Sequence, residues 1–150
     1  MKIEIELLSL EELREYMFEM SQDAFFEFRD EKIFNEYSLK LCENAMFCVA
    51  REYDKIVGMI AFYANGKGEE GVCYIPLVYV SPRARKLGLF SDMLIKTKEY
   101  ARSLEYTKIK LEVNRDNFIA KIAYMNKGFF CADRKNEKNS EKKLMILNLQ

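Results

Sequence analysis

Histidine is absent from this 150-residue chain, and its absence excludes several kinds of catalytic site. Without an imidazole there is no Ser-His-Asp triad, no Cys-His pair and no histidine-containing zinc site. Any acid–base chemistry must therefore come from carboxylates, lysine, cysteine or tyrosine. The four cysteines show no CxxC spacing and stand in apolar neighbourhoods, which favours buried thiols over a redox pair or a metal site.

Net charge and long apolar runs are lacking as well. Basic and acidic residues number 24 each, so no overall field attracts nucleic acid or an anionic membrane. No apolar run has the length of a membrane span, and the alternating first residues lack the apolar core of a signal peptide. We therefore expect one cytoplasmic domain over residues 1–150, with neither nucleic acid nor a membrane as partner.

Hydrophobic periodicity and turn residues predict strands and helices along the whole chain. Strands are predicted at 2–7, about 45–53, 56–63, 72–80, 108–113, near 129–133 and at 144–149. Helices are predicted from Ser9 to about Met20, from near Glu27 to Cys42, from Phe90 to Leu104 and from Asn117 to near Gly128. Asp54-Lys55 is predicted as a hairpin turn, and Arg134 to Lys143 as a solvated loop rather than a nucleic-acid patch.

A short basic turn joins a buried strand to a helix. The strand Val72–Val80 is almost entirely apolar, as expected for a strand buried on both faces. The turn after it contains Arg85, Lys86 and Gly88. Because the first amides of a helix lack intrahelical acceptors and its dipole favours negative charge, this turn is a candidate phosphate site. An ordinary strand-to-helix turn would look similar, and no GxxxxGK(S/T) loop is present.

A second strand and helix follow in the C-terminal half. Residues 108–113 alternate between polar and apolar side chains, which predicts a strand. On the next helix, Asn117, Ala120 and Tyr124 share one face and offer an amide, a small residue and a phenol to a long, thin ligand. A separate apolar stripe is predicted to face the sheet, and its members are Phe118, Ile122 and Met125.

These two segments resemble motifs of the GNAT superfamily of N-acetyltransferases. The acetyl-CoA-binding motif of that family reads (Q/R)-x-x-G-x-(G/A). Arg85 matches its first position and Gly88 its fourth, whereas Phe90 stands where glycine or alanine is usual. The later motif, N-x-x-A-x-x-x-Y followed by GF, is matched by Asn117, Ala120, Tyr124 and Gly128-Phe129.

The resemblance implies an α/β (α+β) GNAT fold: a mixed, mostly antiparallel central sheet with two splayed parallel strands and flanking helices. It implies acetyl-CoA as co-substrate and no metal. The residues expected to bind acetyl-CoA are Val78, Tyr79, Val80, Arg85, Lys86, Leu87, Gly88, Leu89, Phe90, Ser91 and Asn117. Phe90 must point inward to leave its amide free, and Lys86 lacks the easy left-handed conformation of the usual glycine. We expect CoA binding to be retained despite both departures.

Pro76 interrupts the central strand. Because proline cannot donate to a sheet ladder, it requires an edge, a bulge or a gap. If the strand leaves its neighbour after Pro76, the backbone groups of Val78 and Val80 lack partners. The pantetheine arm of CoA carries amides that could then add to this strand. Alternatively, Pro76 only breaks an ordinary strand.

The resemblance assigns Tyr124 as the general acid that protonates the departing thiolate, a task that a phenol with a pKa near 10 can perform. Glu112 lies where related N-terminal-amine acetyltransferases carry a glutamate base, which acts directly or through a water. On the residues alone, Tyr124 could instead be a core tyrosine and Glu112 a member of an exposed alternation. No cysteine lies beside an activating base, which favours direct attack by an amine in a ternary complex.

Two functions are compatible with this interpretation. One is transfer of an acetyl group from acetyl-CoA to a primary amine; the other is an acyl-CoA-binding module, regulatory or degenerate, without efficient turnover. The acceptor is a small molecule or a peptide, and protein N-termini, amino sugars, amino acids and polyamines are all compatible with the sequence. Both a monomer and a homodimer are compatible with it as well. Aromatic residues of the first helices, Phe25, Phe26 and Tyr37, are interpreted as core rather than as pocket.

Overall fold

The computed structural model describes residues 1–23, 30–132 and 141–149. Within these ranges the strands are β1 Lys2–Glu6, β2 Met46–Glu52, β3 Lys55–Tyr63, β4 Val72–Val80, β5 Lys108–Asn114, β6 Phe130–Ala132 and β7 Lys142–Asn148. The helices are α1 Leu10–Ser21, α2 Glu31–Asn44, α3 Leu89–Ser103 and α4 Phe118–Met125, with a short 3₁₀ turn at Pro82–Ala84. The element order thus follows the sequence-based prediction.

The strands form a single sheet in the order β1-β2-β3-β4-β5-β7-β6. Neighbouring strands are antiparallel except β4 and β5, which run parallel. Their pairing begins at Val72 with Lys108 and ends at Ile75 with Leu111, one residue before Pro76. The expected mixed sheet with two splayed parallel strands is therefore confirmed, and Pro76 lies where the gap opens.

Local sequence signals explain where the helices begin and end. The side chains of Ser9, Asp30 and Asn117 accept hydrogen bonds from first-turn amides of α1, α2 and α4, as N-cap residues do. Helix α3 starts after Gly88, whose φ of 74° is a left-handed conformation. Gly128 has a φ of 100° and follows α4, which agrees with its predicted role as a stop.

Two clusters of buried side chains pack on opposite faces of the sheet, one beneath α1 and α2 and the other beneath α3. The buried residues of β4 change face along the strand. Cys73 and Ile75 belong to the α3 side, whereas Leu77 and Tyr79 belong to the α1–α2 side. The cause is an irregularity in the pairing with β3 near Pro76, because one extra residue reverses the alternation of side chains.

Helix α4 is oriented differently from the prediction. Phe118, Ile122 and Met125 were expected to face the sheet, yet each is more than half exposed, so that expectation is wrong. Ala120 and Tyr124 pack against the core instead. The tyrosine ring provides the reason, because it fits edge-on against other aromatic rings at the base of the helix and fixes which face turns inward.

Several boundaries and environments also differ from expectation. The β2–β3 hairpin turns at Tyr53 and Asp54, both with positive φ, because Lys55 already pairs with β2. The predicted loop from Arg134 to Lys143 is too long at its end, because β7 already begins at Lys142. Leu104 follows α3 and is exposed rather than part of its buried face.

Some predictions fall on residues outside the described ranges. These are Phe25, Phe26, the predicted helix start at Glu27 and most of the charged run that begins at Arg134. Tyr37 lies within the described part of α2. It packs against the α1–α2 cluster, as predicted for a core aromatic, and its hydroxyl donates to the carbonyl of Pro76 over 3.2 Å.

Candidate active site

The turn between β4 and α3 presents a row of backbone amides. Arg85 N–H still donates to the Pro82 carbonyl, and Asp92 N–H donates to the Gly88 carbonyl over 3.1 Å. Between them, the amides of residues 86–91 have no acceptor among the residues that the structure describes. We call this row the amide cradle. It combines unpaired donors with the positive end of the α3 dipole, which is the environment that binds phosphate.

A concavity of about 190 Å³ lies against the amide cradle. Its lining comes from the end of β4, the turn and the first turn of α3: Val80, Ala84, Arg85, Lys86, Gly88, Leu89, Phe90 and Ser91. All of these except Ala84 were predicted from the sequence to bind acetyl-CoA. The side chain of Leu87 is exposed, so only its backbone amide can contribute to phosphate binding in the amide cradle.

The two departures from the family motif leave the cradle intact. Lys86 has a φ of 67°, a left-handed conformation that costs a non-glycine residue roughly 1–2 kcal/mol. Phe90 turns inward as expected: it is half-buried, and its ring packs edge-on against Tyr124 with centroids 5.5 Å apart. Neither side chain removes a donor. Strain at Lys86 must instead be balanced by contacts that hold the turn.

The gap between β4 and β5 adds further backbone donors. Ser81 N–H donates to the Val57 carbonyl over 2.9 Å, which fixes the alternation of the antiparallel ladder with β3. By that alternation, the N–H groups of Val78 and Val80 point away from β3 and toward the gap. The carbonyl of Val80 already accepts from Arg85 Nε over 3.0 Å. The two amides are therefore placed where an amide-bearing ligand could add to β4.

Tyr79 is arranged differently from these two valines. Its backbone pairs with Met59 of β3, and its side chain lies on the α1–α2 face of the sheet. Its hydroxyl donates to Asp23 Oδ2 over 2.9 Å, while the Arg85 guanidinium lies 5.6 Å from its ring centroid. Burial, more than the neighbouring carboxylate, raises the pKa of Tyr79 to about 12. The structure thus places Tyr79 beneath the turn rather than along the gap.

Tyr124 lies beside the start of α3. Its ring packs edge-on between Phe90 and Phe129, at centroid distances of 5.5 and 5.6 Å. No described residue forms a hydrogen bond with its hydroxyl. Burial raises the pKa of Tyr124 to about 12, so the phenol stays protonated throughout the neutral range. It is a proton donor without an acceptor in the described part of the chain.

Glu112 is the first residue of β5 beyond the last pair with β4. Its neighbours Leu111 and Val113 are buried on the α3 side, so the exposed Glu112 side chain projects to the opposite face of the sheet. Tyr124 packs on the α3 side. The two predicted catalytic residues thus lie on opposite faces of the sheet, and Glu112 lies at the level where β4 and β5 separate.

Asn117 has a structural role that agrees with its place at the start of the predicted helix. It is the N-cap of α4, and its Oδ1 accepts from Ala120 N–H over 3.1 Å. The side chain is exposed and its amide nitrogen projects outward as a donor. Asn117 therefore fixes where α4 starts, and with it the position of Tyr124 two turns further on.

The cysteines do not supply a nucleophile to this site. Burial raises the pKa of Cys48 to about 11 and that of Cys73 to about 12, so both thiols stay protonated and inert near neutral pH. Cys42 is half-buried, and Cys131 is exposed, contrary to the expectation of four buried thiols. Among the described residues, no group of histidine, cysteine, aspartate or glutamate could hold a metal ion.

A larger cavity lies elsewhere. It has a volume of about 980 Å³ and is bordered by the C-terminal end of α2, the loop before β4 and the face of β4 and β5 next to it. Tyr63 and Tyr74 stack within it at a centroid distance of 6.3 Å, and Lys110 pairs there with Glu69 over 2.8 Å. None of the residues predicted to bind acetyl-CoA lines it, so size alone does not identify the chemical centre.

In the described ranges, no helix is both long enough and apolar enough to span a membrane.

The splayed sheet, the amide cradle and the phenol beside it define a class of protein, the CoA-dependent acyltransferases. Comparison with protein families specifies the class further. The sequence model of the Acetyltransferase (GNAT) family matches residues 10–129. The chain belongs to the GNAT acetyltransferase family, whose members transfer acyl groups from acetyl-CoA. No curated protein matches the sequence.

Solved structures share the whole fold at low sequence identity. PaiA N-acetyltransferase from Thermoplasma acidophilum, in complex with coenzyme A, is 18% identical with a TM-score of 0.73, and 99% of each chain is covered. Ard1 from Thermoplasma volcanium is 19% identical with a TM-score of 0.73, covering 100% of this chain and 99% of that one. A GNAT-family acetyltransferase from Staphylococcus aureus Mu50 is 17% identical with a TM-score of 0.75, covering 99% and 100%. At these identities the likeness shows the fold alone.

Proposed function

We propose that this protein is an N-acetyltransferase that moves the acetyl group of acetyl-CoA to a primary amine, a small molecule or a peptide. One observation carries the proposal. The unpaired amides of residues 86–91 lie at the end of the same strand whose Val78 and Val80 amides face the gap. A phosphate-binding element and a site for an extended amide chain are therefore continuous, as a molecule built like CoA requires.

Each part of the co-substrate has a matching element in this proposal. The amide cradle binds the pyrophosphate through backbone N–H groups, and Lys86 adds a positive charge nearby. The pantetheine amides pair with the edge of β4 at Val78 and Val80, like a short added strand. This alignment directs the thioester into the gap, toward the side where Tyr124 presents its hydroxyl.

The reaction is a direct attack in a ternary complex. Glu112 removes a proton from the acceptor ammonium, directly or through a water, and the neutral amine attacks the thioester carbonyl. A backbone amide of β4 polarises the carbonyl as negative charge develops on its oxygen. The C–S bond then breaks, and the departing thiolate takes the Tyr124 proton. The nitrogen of the new amide releases its extra proton to solvent, and Tyr124 is reprotonated from solvent. The apolar surroundings that raise the pKa of this phenol also raise that of a thiolate held there, which keeps the transfer feasible.

Replacement of Tyr124 by phenylalanine tests the assigned acid. The substitution keeps the edge-on packing with Phe90 and Phe129 and removes only the hydroxyl. We expect kcat to fall by about a hundredfold, the usual contribution of a positioned general acid, while KM for acetyl-CoA stays nearly unchanged. The measurement is thiol release from acetyl-CoA with a panel of primary amines.

Tyr100→Phe is the matched control, since Tyr100 also packs edge-on against a phenylalanine on the α3 side but lies outside the site. Its kcat should equal that of the unchanged protein. Equal kcat values for Tyr124→Phe and Tyr100→Phe would remove Tyr124 from the mechanism.

A second candidate function is a CoA-binding module without turnover. The strained Lys86 favours it, because an efficient enzyme has no evident need for a non-glycine residue at a φ of 67°. The same assay separates the two functions. Saturable CoA binding together with no acceptor-dependent thiol release, across amino acids, amino sugars, polyamines and peptides, would establish the module.

A further inference from the structure

Two acidic side chains at the C-terminal end of α1 contradict the usual preference of helices. Glu19 lies in the last turn and Asp23 lies two residues beyond Ser21, while no basic residue occupies that turn. The carbonyl end of a helix carries partial negative charge and prefers cations, so these two carboxylates weaken the helix end locally. A local rule broken in this way points to a role outside the helix.

Both carboxylates bind the segment that connects β4 to the amide cradle. Asp23 Oδ2 accepts from Tyr79 Oη over 2.9 Å and from Arg85 Nη2 over 2.6 Å. Glu19 accepts from Ser81 Oγ over 2.8 Å and from Arg83 Nη1 over 2.6 Å. Each carboxylate therefore joins one residue at the end of β4 with one arginine of the turn. We call this pair of carboxylates the acidic clasp.

The acidic clasp is partly shielded from water, which strengthens its hydrogen bonds. The side chain of Asp23 is only 9% exposed, and Ser81 is fully buried. Charge-assisted hydrogen bonds in such surroundings are stronger than those of exposed pairs. Tyr16 adds to the Glu19 half, since its hydroxyl lies 3.0 Å from Ser81 Oγ.

Arg85, the first residue of the family motif, is held to the protein by three hydrogen bonds. Its Nε donates to the Val80 carbonyl, its Nη2 donates to Asp23, and its backbone N–H donates to Pro82. The guanidinium is therefore committed to the protein. It fixes the backbone immediately before Lys86, the residue whose left-handed conformation needs external support.

We infer that Glu19 and Asp23 are positioning residues that hold the amide cradle in its phosphate-binding shape by fixing Arg83 and Arg85. The inference rests on the proposed function, because it assumes that the cradle binds the pyrophosphate of CoA. It predicts that loss of the clasp weakens co-substrate binding and leaves the chemical step unchanged. It also predicts that relief of the strain at Lys86 restores that binding.

The experiment compares Asp23→Asn with Asp23→Asn/Lys86→Gly. Calorimetric titration gives Kd for CoA, and steady-state assays give KM for acetyl-CoA and kcat. For Asp23→Asn we expect Kd and KM to rise about tenfold, with kcat at saturation nearly unchanged. Because Lys86→Gly also removes a charge near the pyrophosphate, the double variant is compared with the Lys86→Gly single variant. Glycine adopts the left-handed conformation without strain, so loss of Asp23 should cost much less CoA affinity in that background than in the unchanged protein. If Asp23 only stabilised the fold, Lys86→Gly would not reduce the loss of CoA affinity that Asp23→Asn causes.

Glu15→Gln is the matched control, since Glu15 is an exposed acid on the same helix. Its Kd and KM should equal those of the unchanged protein. If the unchanged protein binds CoA and Asp23→Asn binds it equally well, this inference is overturned and the proposed function stands. If the unchanged protein does not bind CoA, the proposed function itself fails.

Should Asp23→Asn fail to fold, Glu19→Gln tests the other half of the clasp by the same titrations. It removes the charge that holds Arg83 and preserves the size of the side chain. A rise in Kd for CoA, with kcat retained, supports the inference. An unchanged Kd in this folded variant overturns it.

Discussion

Among single residues, Glu112 is the one to which the proposed mechanism assigns the step that depends most on the acceptor. It is exposed, and its position at the mouth of the gap, rather than any shielded environment, connects it with the chemistry. A base in this position is needed only when the acceptor arrives protonated. Its contribution should therefore depend on the basicity of the acceptor, which separates a proton-transfer role from a structural one.

Glu112→Gln should accordingly lower kcat/KM by about a hundredfold with an alkyl ammonium acceptor at neutral pH. The loss should shrink for a weakly basic amine, such as an O-alkylhydroxylamine, that is already unprotonated at neutral pH. The measurement is a pair of steady-state assays with the two acceptors. Glu99→Gln, an exposed acid on α3, is the control and should leave both values unchanged.

Equal losses for the two acceptors would contradict a proton-transfer role for Glu112. They would place it among residues that orient the substrate. The assignment of Tyr124 as the acid would be unaffected, since Tyr124 packs on the opposite face of the sheet.

At the scale of elements, α4 shows that apolar pattern and burial need not coincide. Its apolar side chains Phe118, Ile119, Ile122 and Met125 are more than half exposed, the second of these by 85%. The helix is held instead by Tyr124 and Ala120 and by its N-cap. Its stability should therefore be insensitive to the exposed side chains.

Ile119→Ser should change the free energy of unfolding by less than about 0.5 kcal/mol, because the side chain contributes little burial. Leu111→Ala, in the core below the helix, should cost about 2–5 kcal/mol. Urea denaturation of both variants provides the comparison. A cost above about 2 kcal/mol for Ile119→Ser would mean that this face is covered in solution.

The sequence is most informative where its signals are local. A strand, a glycine-containing turn and a helix start lie within twenty residues, so neighbouring residues indicated a candidate phosphate site, although their order alone is equally typical of an ordinary strand-to-helix turn. Pro76 predicted the gap for the same reason, because a missing donor acts at its own position. The N-cap residues likewise determine their helix starts through neighbouring amides.

What the sequence does not reveal depends on distant partners. The face of α4 that turns inward is decided by Phe90 and Phe129, and both stripes of the helix are apolar enough to be buried. The acidic clasp joins Glu19 and Asp23 to arginines about sixty positions later, and no periodicity indicates such a pairing. Tyr79 was grouped with Val78 and Val80, but the alternation of the strand turns its backbone toward β3 and its side chain to the α1–α2 face.

Over the whole molecule, buried thiols and phenols should lower the free energy of unfolding as the pH rises into the alkaline range. Burial raises the pKa of Cys48 from 9 to about 11 and that of Cys73 from 9 to about 12. Burial also raises the pKa of Tyr79 and Tyr124 from 10 to about 12. Each of these groups ionises first in the unfolded chain, so the unfolded state binds fewer protons than the folded state above pH 9.

The free energy of unfolding should therefore be constant from about pH 7 to pH 8 and fall steadily between pH 9 and pH 12. Each group contributes up to about 1.4 kcal/mol per pH unit within its own interval. Urea melts at stepped pH values measure this curve. Cys73→Ala should flatten it, whereas Cys131→Ser, at an exposed thiol, should leave its shape unchanged.

Stability that stays level through pH 11 in the unchanged protein would contradict this account. A curve that falls as steeply in Cys73→Ala as in the unchanged protein would exclude Cys73 as a source of the pH dependence. Both outcomes are read from the same series of melts.

The amide cradle is the feature on which both proposals depend, and calorimetric titration with CoA tests it most directly. Gly88 and Gly66 both have a φ of 74°, and a Cβ at either position meets no atom within 4 Å. Alanine therefore strains both turns alike, but only Gly88 belongs to the cradle. The unchanged protein and Gly66→Ala should bind CoA equally, with Gly88→Ala about tenfold weaker. Absence of binding to the unchanged protein, or equal affinity in the two alanine variants, would contradict the account.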